Sequence, residues 1–266
     1  MYGKAMPPFV FSDHTCIQDV AHAAAIDIFG ENYAADAAVI PSLGAAKGVL
    51  KKGIWRMEWT PIRVELMKDG LLNDTPSGIA ALHSCFPSGG LNVRIRFCNG
   101  NFEDGKDGSP ANTTFDEAGH LVSTIRFRNG VANDSLSGEP ANVYYYNNFA
   151  SPVVEKVFHL SDGREHDPIS GGPACRWFWP DGSIKMIAYC QNGKKNDPPS
   201  GEPALQEFGR DGRRTIFAHY NEDSAITVKA AKALHATALR DRVMRCVDSA
   251  DPVVSVVGMA AARLGR

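Results

Sequence analysis

Apolar and polar residues alternate in short runs through the middle of the chain. The segments "LNVRIRFC" (91–98), "HLVSTIRFR" (120–128), "VVEKVFHL" (153–160) and "SIKMIAYC" (183–190) share this pattern. A period of two over a short run predicts a half-buried antiparallel strand. Soon after each run comes Asn-Gly or Asp-Gly, at Gly100, Gly130, Gly163 and Gly193, and an earlier run ends at Gly70. The steps between these glycines are 30, 30, 33 and 30. A second marker, Ala80, Ala111, Ala141, Ala174 and Ala204, steps by 31, 30, 33 and 30. Two independent markers hold one period, so the chain carries an internal repeat.

Each unit has one grammar. Four residues after the alanine stands an aromatic: Phe115, Tyr145, Phe178 or Phe208. The first unit has Ser84 there, with Phe86 nearby, and reads "GIA" where later ones read "SPA", "EPA" or "GPA". A degenerate opening unit is expected of a terminal cap. Turn segments follow, such as "PSGG", "DEAG", "PDG" and "RDG". Their Gly, Asn and Asp supply the positive φ of tight hairpins. Counting back from the marker glycine, offsets three and five are mostly apolar, while offset four holds Arg96, Arg126, His159 and Tyr189. This predicts one apolar side and one polar, outward side. Each unit is thus a β-hairpin of about 30 residues, and a lone hairpin cannot bury its apolar face whereas stacked neighbours can. At about 4.8 Å per strand, the stack makes an elongated, twisted antiparallel sheet on the order of 50 Å long.

The ends change period. "SDHTCIQDVAHAAAIDIFG" (12–30) spaces Ile17, Val20, Ala21, Ala24 and Ile28 as a helix, with Ser12 or Asp13 to cap its start and Gly30 its end. A short helix is expected over 32–40, a long one from Ser224 to Val247, and a last one after Pro252. The expected fold is mainly β with flanking helices: an N-terminal helical segment (1–51), a repeat domain (52–222) and a C-terminal helical segment (223–266). The helices are expected to cover sheet ends or its apolar face.

Composition narrows the function. Apolar content of 44% and charged content of 22% suit a globular protein. A net charge of -2 and a pI near 6.4 give no reason to expect nucleic acid. No secretory signal or membrane span is read, and the expected location is the cytoplasm. Six cysteines, none spaced C-x-x-C, read as reduced structural thiols; no metal and no cofactor are expected. "EDGKDGS" fails as a calcium loop, because Gly105 and Thr114 stand where carboxylates are needed. It reads as a surface loop. "LGAAKGVLKKG" fails as a P-loop on spacing.

The units "FDEAGHLVSTIRFRNGVANDSLSGEPA" and "FWPDGSIKMIAYCQNGKKNDPPSGEPA" resemble MORN-type repeats. They are closest to the variant in bacterial proteins labelled antitoxins, and to "DG…NG…GPA" repeats of phage and bacterial proteins. The resemblance covers the repeat domain. It implies hairpin stacking and protein contact, and it supplies no catalytic residue.

The candidate binding strip is the outward column with its neighbours: Arg94, Arg96, Arg126, Arg128, His159 and Tyr189. Arg and Tyr are residues that interfaces favour. The bland reading is a solvated face. The aromatic group Tyr144, Tyr145, Tyr146, Trp177, Phe178 and Trp179 is a ligand platform or, more simply, cross-strand packing. Ser84, Cys85 and His83 show no nucleophile signature. The leading expectation is a non-enzymatic protein-interaction module, an inhibitor or antitoxin-like protein that grips a macromolecular partner. The alternatives are an enzyme with a site where helices meet sheet, a lipid- or nucleic-acid-binding module, and a homodimer.

Overall fold

The computed structural model describes residues 17–30, 48–60, 62–147 and 151–247. Helix α1 (Ile17–Phe29) opens this part and helix α2 (Val228–Val247) closes it. Strands β1 (Gly48–Lys52), β2 (Trp55–Thr60) and β3 (Arg63–Lys68) form a meander, on which β4 (Leu71–Leu72) folds back. Five long hairpins follow. They are β5 (Leu82–Cys85) with β6 (Leu91–Ile95), β9 (Asn112–Phe115) with β10 (Leu121–Ile125), and β13 (Asn142–Tyr145) with β14 (Val154–Phe158). Then come β17 (Cys175–Phe178) with β18 (Ile184–Ala188), and β21 (Leu205–Phe208) with β22 (Arg214–Asn221). Four two-residue hairpins connect them: β7 (Phe97–Cys98) with β8 (Asn101–Phe102), β11 (Phe127–Arg128) with β12 (Val131–Ala132), β15 (Leu160–Ser161) with β16 (Arg164–Glu165), and β19 (Cys190–Gln191) with β20 (Lys194–Lys195). Strand β23 (Ser224–Ile226) ends the single 15-stranded sheet, whose strands pair antiparallel in chain order. This is the mainly β architecture with terminal helices that the repeat predicts.

The marker dipeptides sit at the tips of the small hairpins. Asn99 (φ 49°) and Gly100 (φ 80°) are the two loop residues, with Cys98 opposite Asn101. Two left-handed residues make the primed turn that matches strand twist, which is why Asn or Asp precedes Gly. The small hairpins then stack: Gly100 N–H donates to Leu72 O, Gly130 to Phe102 O, Gly163 to Ala132 O and Gly193 to Glu165 O, each at 2.8–2.9 Å.

An aspartate in every unit holds the stack together. Asp104 is the pattern: its N–H donates to Phe127 O at 3.0 Å, and its Oδ1 accepts from Phe127 N and Ala111 N, both at 2.9 Å. Asp74, Asp134, Asp167 and Asp197 repeat this with Ala81, Ala141, Ala174 and Ala204. One carboxylate oxygen thus satisfies two amides that would otherwise be orphaned between units. The hub also corrects the register of the first unit. Its alanine is Ala81, not Ala80, so the step to Ala111 equals that from Gly70 to Gly100. Cys85, not Ser84, then holds the aromatic position, and Cys85 is buried in the core as Phe115 is.

The core is concentrated at the N-terminal end. Val20, Ala21, Ala24 and Phe29 of α1 pack on Met57, Trp59, Val64, Leu66, Cys85, Leu91 and Phe115. Cross-strand partners share a side of the sheet, so α1 lies on the side of Trp59, Val64 and His83. A smaller cluster of Ala174, Cys175, Ala188 and Cys190 lies in the fourth unit. The boundaries differ from expectation at both ends. The sheet begins at Gly48, and residues 224–226 form β23 rather than helix. Glu222 and Asp223, at φ 49° and 67°, make one more two-residue turn and pair Asn221 with Ser224. Helix α2 starts after it, where Thr227 Oγ1 accepts from Ala230 N at 3.2 Å as an N-cap. The expected caps Ser12 and Asp13 and the helices over 32–40 and after Pro252 lie outside the described residues.

Candidate functional site

The expected outward column points inward. Arg96, His159 and Tyr189 are buried, and the Arg126 side chain is 12% exposed. Arg96 donates from Nη1 to Asp74 Oδ2 at 3.1 Å and to Gly78 O at 2.7 Å; Arg126 does the same with Asp104 Oδ2 and Gly108 O at equal distances. Arg126 also pairs with Glu139. His159 Nδ1 lies 2.7 Å from Asp134 Oδ2, and its Nε2 lies 3.2 Å from Arg176 Nη2. Tyr189 donates to Glu202 at 2.9 Å; burial first, then Glu202, pushes its hydroxyl up to about 12. The free oxygen of each hub aspartate calls for a cation or donor on that side, so the polar residue turns in and the expected solvated strip does not form. Of the strip, Arg128 is exposed and Arg94 is half-buried, donating to Thr113 Oγ1 at a long 3.5 Å.

A cavity of about 880 Å³ opens between the first two connecting loops, beside Trp55, His83, Arg94, Arg96 and Asp107. Its titrating groups are perturbed. Burial, then Arg94 and Arg96, push His83 down to about 3, against a hydrogen bond with Ala80. Burial raises Asp74 despite the Phe97 amide and Arg96. Burial also acts on Asp107, but its bonds to Ser109 and the charge of Arg96 outweigh it and hold the carboxyl low. A histidine neutral down to pH 3 is no general base near neutrality. Asp74 and Arg96 recur unchanged as Asp104 and Arg126 in the next unit, which marks them as part of the stacking machinery.

The other side of the sheet, opposite α1, tells a different story. Thr60, Arg63, Ser84, Val93, Thr114 and Ser123 are successive cross-strand partners, so they form one row. The row continues through Tyr144, Lys156, Trp177, Met186, Glu207 and Ile216. Apart from Arg63 its first half is short and mostly polar; its second half is large throughout and mostly aromatic or apolar, with Lys156 and Glu207 as its charged members. Lys156 Nζ lies 4.8 Å from the centre of the Tyr144 ring. Phe158, in the adjacent row, meets Tyr144 and Trp177 edge-on at 6.1 and 5.3 Å. At the turn ends, Trp179 carries Lys185 at 4.7 Å and Arg210 at 5.1 Å. Its Nε1 donates to Phe208 O at 3.4 Å, and Tyr146 donates to Phe178 O at 2.7 Å. Of this row Ile216 is 50% exposed, and Tyr144, Lys156, Trp177, Met186 and Glu207 are half-buried. The predicted aromatic group is therefore divided. Tyr144 and Trp177 lie on this row, Tyr145 and Phe178 have the opposite parity, and Tyr146 and Trp179 brace the turns.

Among the described residues two clusters gather three metal-ligating groups each: Glu165, Cys175 and Cys190, and Asp197, His219 and His235. In the first, Cys190 Sγ lies 3.5 Å from Glu165 Oε2; a hydrogen bond with Cys190, then burial, raises the Cys175 thiol. Neither cluster has a local spacing signature, because each is assembled across units. The aspartate hubs were readable, since an aspartate stands seven residues before every marker alanine once Ala81 replaces Ala80. The "EDGKDGS" loop read as mere surface contains one of them, Asp104.

No helix among the described residues is long and apolar enough to cross a membrane. Comparison with protein-family models, curated proteins and solved structures returned no match to this chain.

Proposed function

We propose that the chain is a protein-interaction module that binds its partner through the row Tyr144, Lys156, Trp177, Met186, Glu207 and Ile216. The observation that carries this reading is the change along one continuous row. Apart from Arg63 its N-terminal half is made of small and mostly polar residues, and its C-terminal half sets Tyr144, Trp177, Met186 and Ile216 among the charged Lys156 and Glu207. Large aromatic and apolar side chains held half-buried on a sheet face, as Tyr144, Trp177 and Met186 are here, are the composition of binding hot spots. The likeness of the units to MORN-type repeats supports protein contact as well. The partner suited to this row is a protein segment with apolar anchors and a carboxylate for Lys156.

Affinity capture from the native host tests the reading with three baits: the native chain, Trp177→Ala with Tyr144→Ala, and Thr114→Ala with Ser123→Ala. A stoichiometric protein held by the first and third baits and lost from the second is expected. Equal capture by all three would sink the row as the binding surface. Sedimentation of the native chain over a hundredfold range of concentration separates a second copy from a foreign partner.

A further inference from the structure

We propose that Asp197, His219 and His235 form a binding site for one zinc ion, which ties helix α2 to the last repeat. Asp197 Oδ2 lies 2.6 Å from His219 Nδ1 and 3.3 Å from His235 Nε2, and the three ligand atoms all lie within 4.8 Å of one another. Ligands about 2.0–2.1 Å from a tetrahedral zinc are separated by roughly 3.3 Å. The His235 distance already fits. The His219 distance must open and the gap between the two imidazoles close, shifts within side-chain reach.

The carboxylate is oriented for this role. Asp197 Oδ1 accepts from Ala204 N at 2.8 Å and Tyr220 N at 3.0 Å, so Oδ2 alone faces the histidines. Backbone amides that fix a ligating carboxylate are what outer-shell partners of metal sites supply. Asp197 and His219 are buried and His235 is half-buried, which leaves one direction for a solvent ligand.

The repeat provides its own controls. In the first two units the residue facing the hub aspartate is arginine, which cannot ligate a cation. In the third it is His159, whose second nitrogen is taken up by Arg176. In the fourth it is Tyr189, bonded to Glu202. In the fifth the position is histidine, and a second histidine arrives from α2. The His235 ring lies against this loop: a Cβ at Gly201 would stand in ordinary contact with it at 3.6 Å, while at the equivalent Gly78, Gly108, Gly138 and Gly171 it would meet nothing within 4 Å.

The site also accounts for how α2 is held. Over residues 228–237, Ala231 is buried and His235 half-buried, and the other side chains are exposed. These two lie four apart on one helix face. Such a thin apolar strip is weak anchorage, and a metal bond at His235 completes it.

The test uses the untagged full chain, stripped with a chelator and titrated with Zn²⁺ by calorimetry and with Co²⁺ by visible absorption. One equivalent is expected, with the cobalt band intensity of a four-coordinate nitrogen–oxygen site. His219→Ala and His235→Ala are each expected to weaken binding at least 100-fold, beyond the roughly 10–100-fold that loss of an outer-shell partner costs. Zinc should slow amide exchange across residues 228–237 in the native chain and leave it unchanged in His235→Ala. His235 sits on a surface helix, so this variant keeps the repeat sheet, checked by circular dichroism. No binding at 100 μM metal overturns the proposal. So does binding that survives in both histidine variants and disappears in Cys175→Ser, which would place the ion at the cysteine cluster.

Discussion

The first two repeats and the last two share a backbone, an aspartate hub and its alanine, and differ in what surrounds them. Asp74 and Asp197 each gather the same two amides and the same neighbouring strand. Around Asp74 the unit is closed: α1 covers one side of the sheet, Arg96 neutralises the aspartate, and the opposite side carries Ser84 and Thr114. Around Asp197 the unit is open: Phe217 and Ile216 are half exposed, histidines replace arginine, and the row holds Trp177 and Met186. The difference teaches that the hub and the turn dipeptides make the repeat. The side chains between them are free to serve a core at one end and a surface at the other.

The largest expected effect breaks the shared part. Asp104→Ala leaves the Phe127 and Ala111 amides without their acceptor and Arg126 without one of its carboxylates. It should cost about 3 kcal/mol in urea unfolding. Asp211→Ala, on an exposed turn, should cost less than about 0.5 kcal/mol. Equal costs would remove the hub as the basis of stacking.

Next is a pH effect confined to the closed end. His83 titrates near 3 when folded and near 6.5 when unfolded. Between these values the unfolded chain binds more protons, so this contribution is complete above pH 6.5 and is lost as pH falls toward 3. From pH 6.5 to 5 the native chain should lose about 2 kcal/mol more than His83→Asn, measured as the difference in urea unfolding free energies. Parallel losses would show that His83 is not protonated on unfolding.

A smaller effect tests the turns. Gly130→Ala places a Cβ at φ 77° and should cost about 1 kcal/mol in thermal or urea unfolding. The smallest effect sharpens the comparison directly. Thr114→Ala in the polar half of the row should change stability by under about 0.5 kcal/mol and leave partner capture intact. Loss of capture in that variant would extend the binding surface into the closed end.

Much of the scaffold was readable. Alternation located the strands, Asn-Gly and Asp-Gly located the small hairpins, and the 3.6 spacing of Val20, Ala21 and Ala24 located α1. The orientation of Arg96, Arg126, His159 and Tyr189 was not readable from the period. Alternation separates two sides of a strand but does not say which side faces a buried carboxylate. The start of α2 was displaced because Glu222 and Asp223 adopt a left-handed turn that glycine usually marks. The row from Tyr144 to Ile216 was not readable because its members come from six strands, and only register aligns them.

What the amino-acid sequence by itself determined was therefore local and periodic: hairpins, turns, hub spacing and the terminal helix α1. These follow from steric limits on φ and from side-chain period, which act over a few residues. The tertiary structure alone decided which polar residues are enclosed, which aromatics line up, and that His235 meets Asp197 and His219. Those outcomes depend on stacking register and on competition for the hub carboxylates, which couple residues a full repeat or more apart.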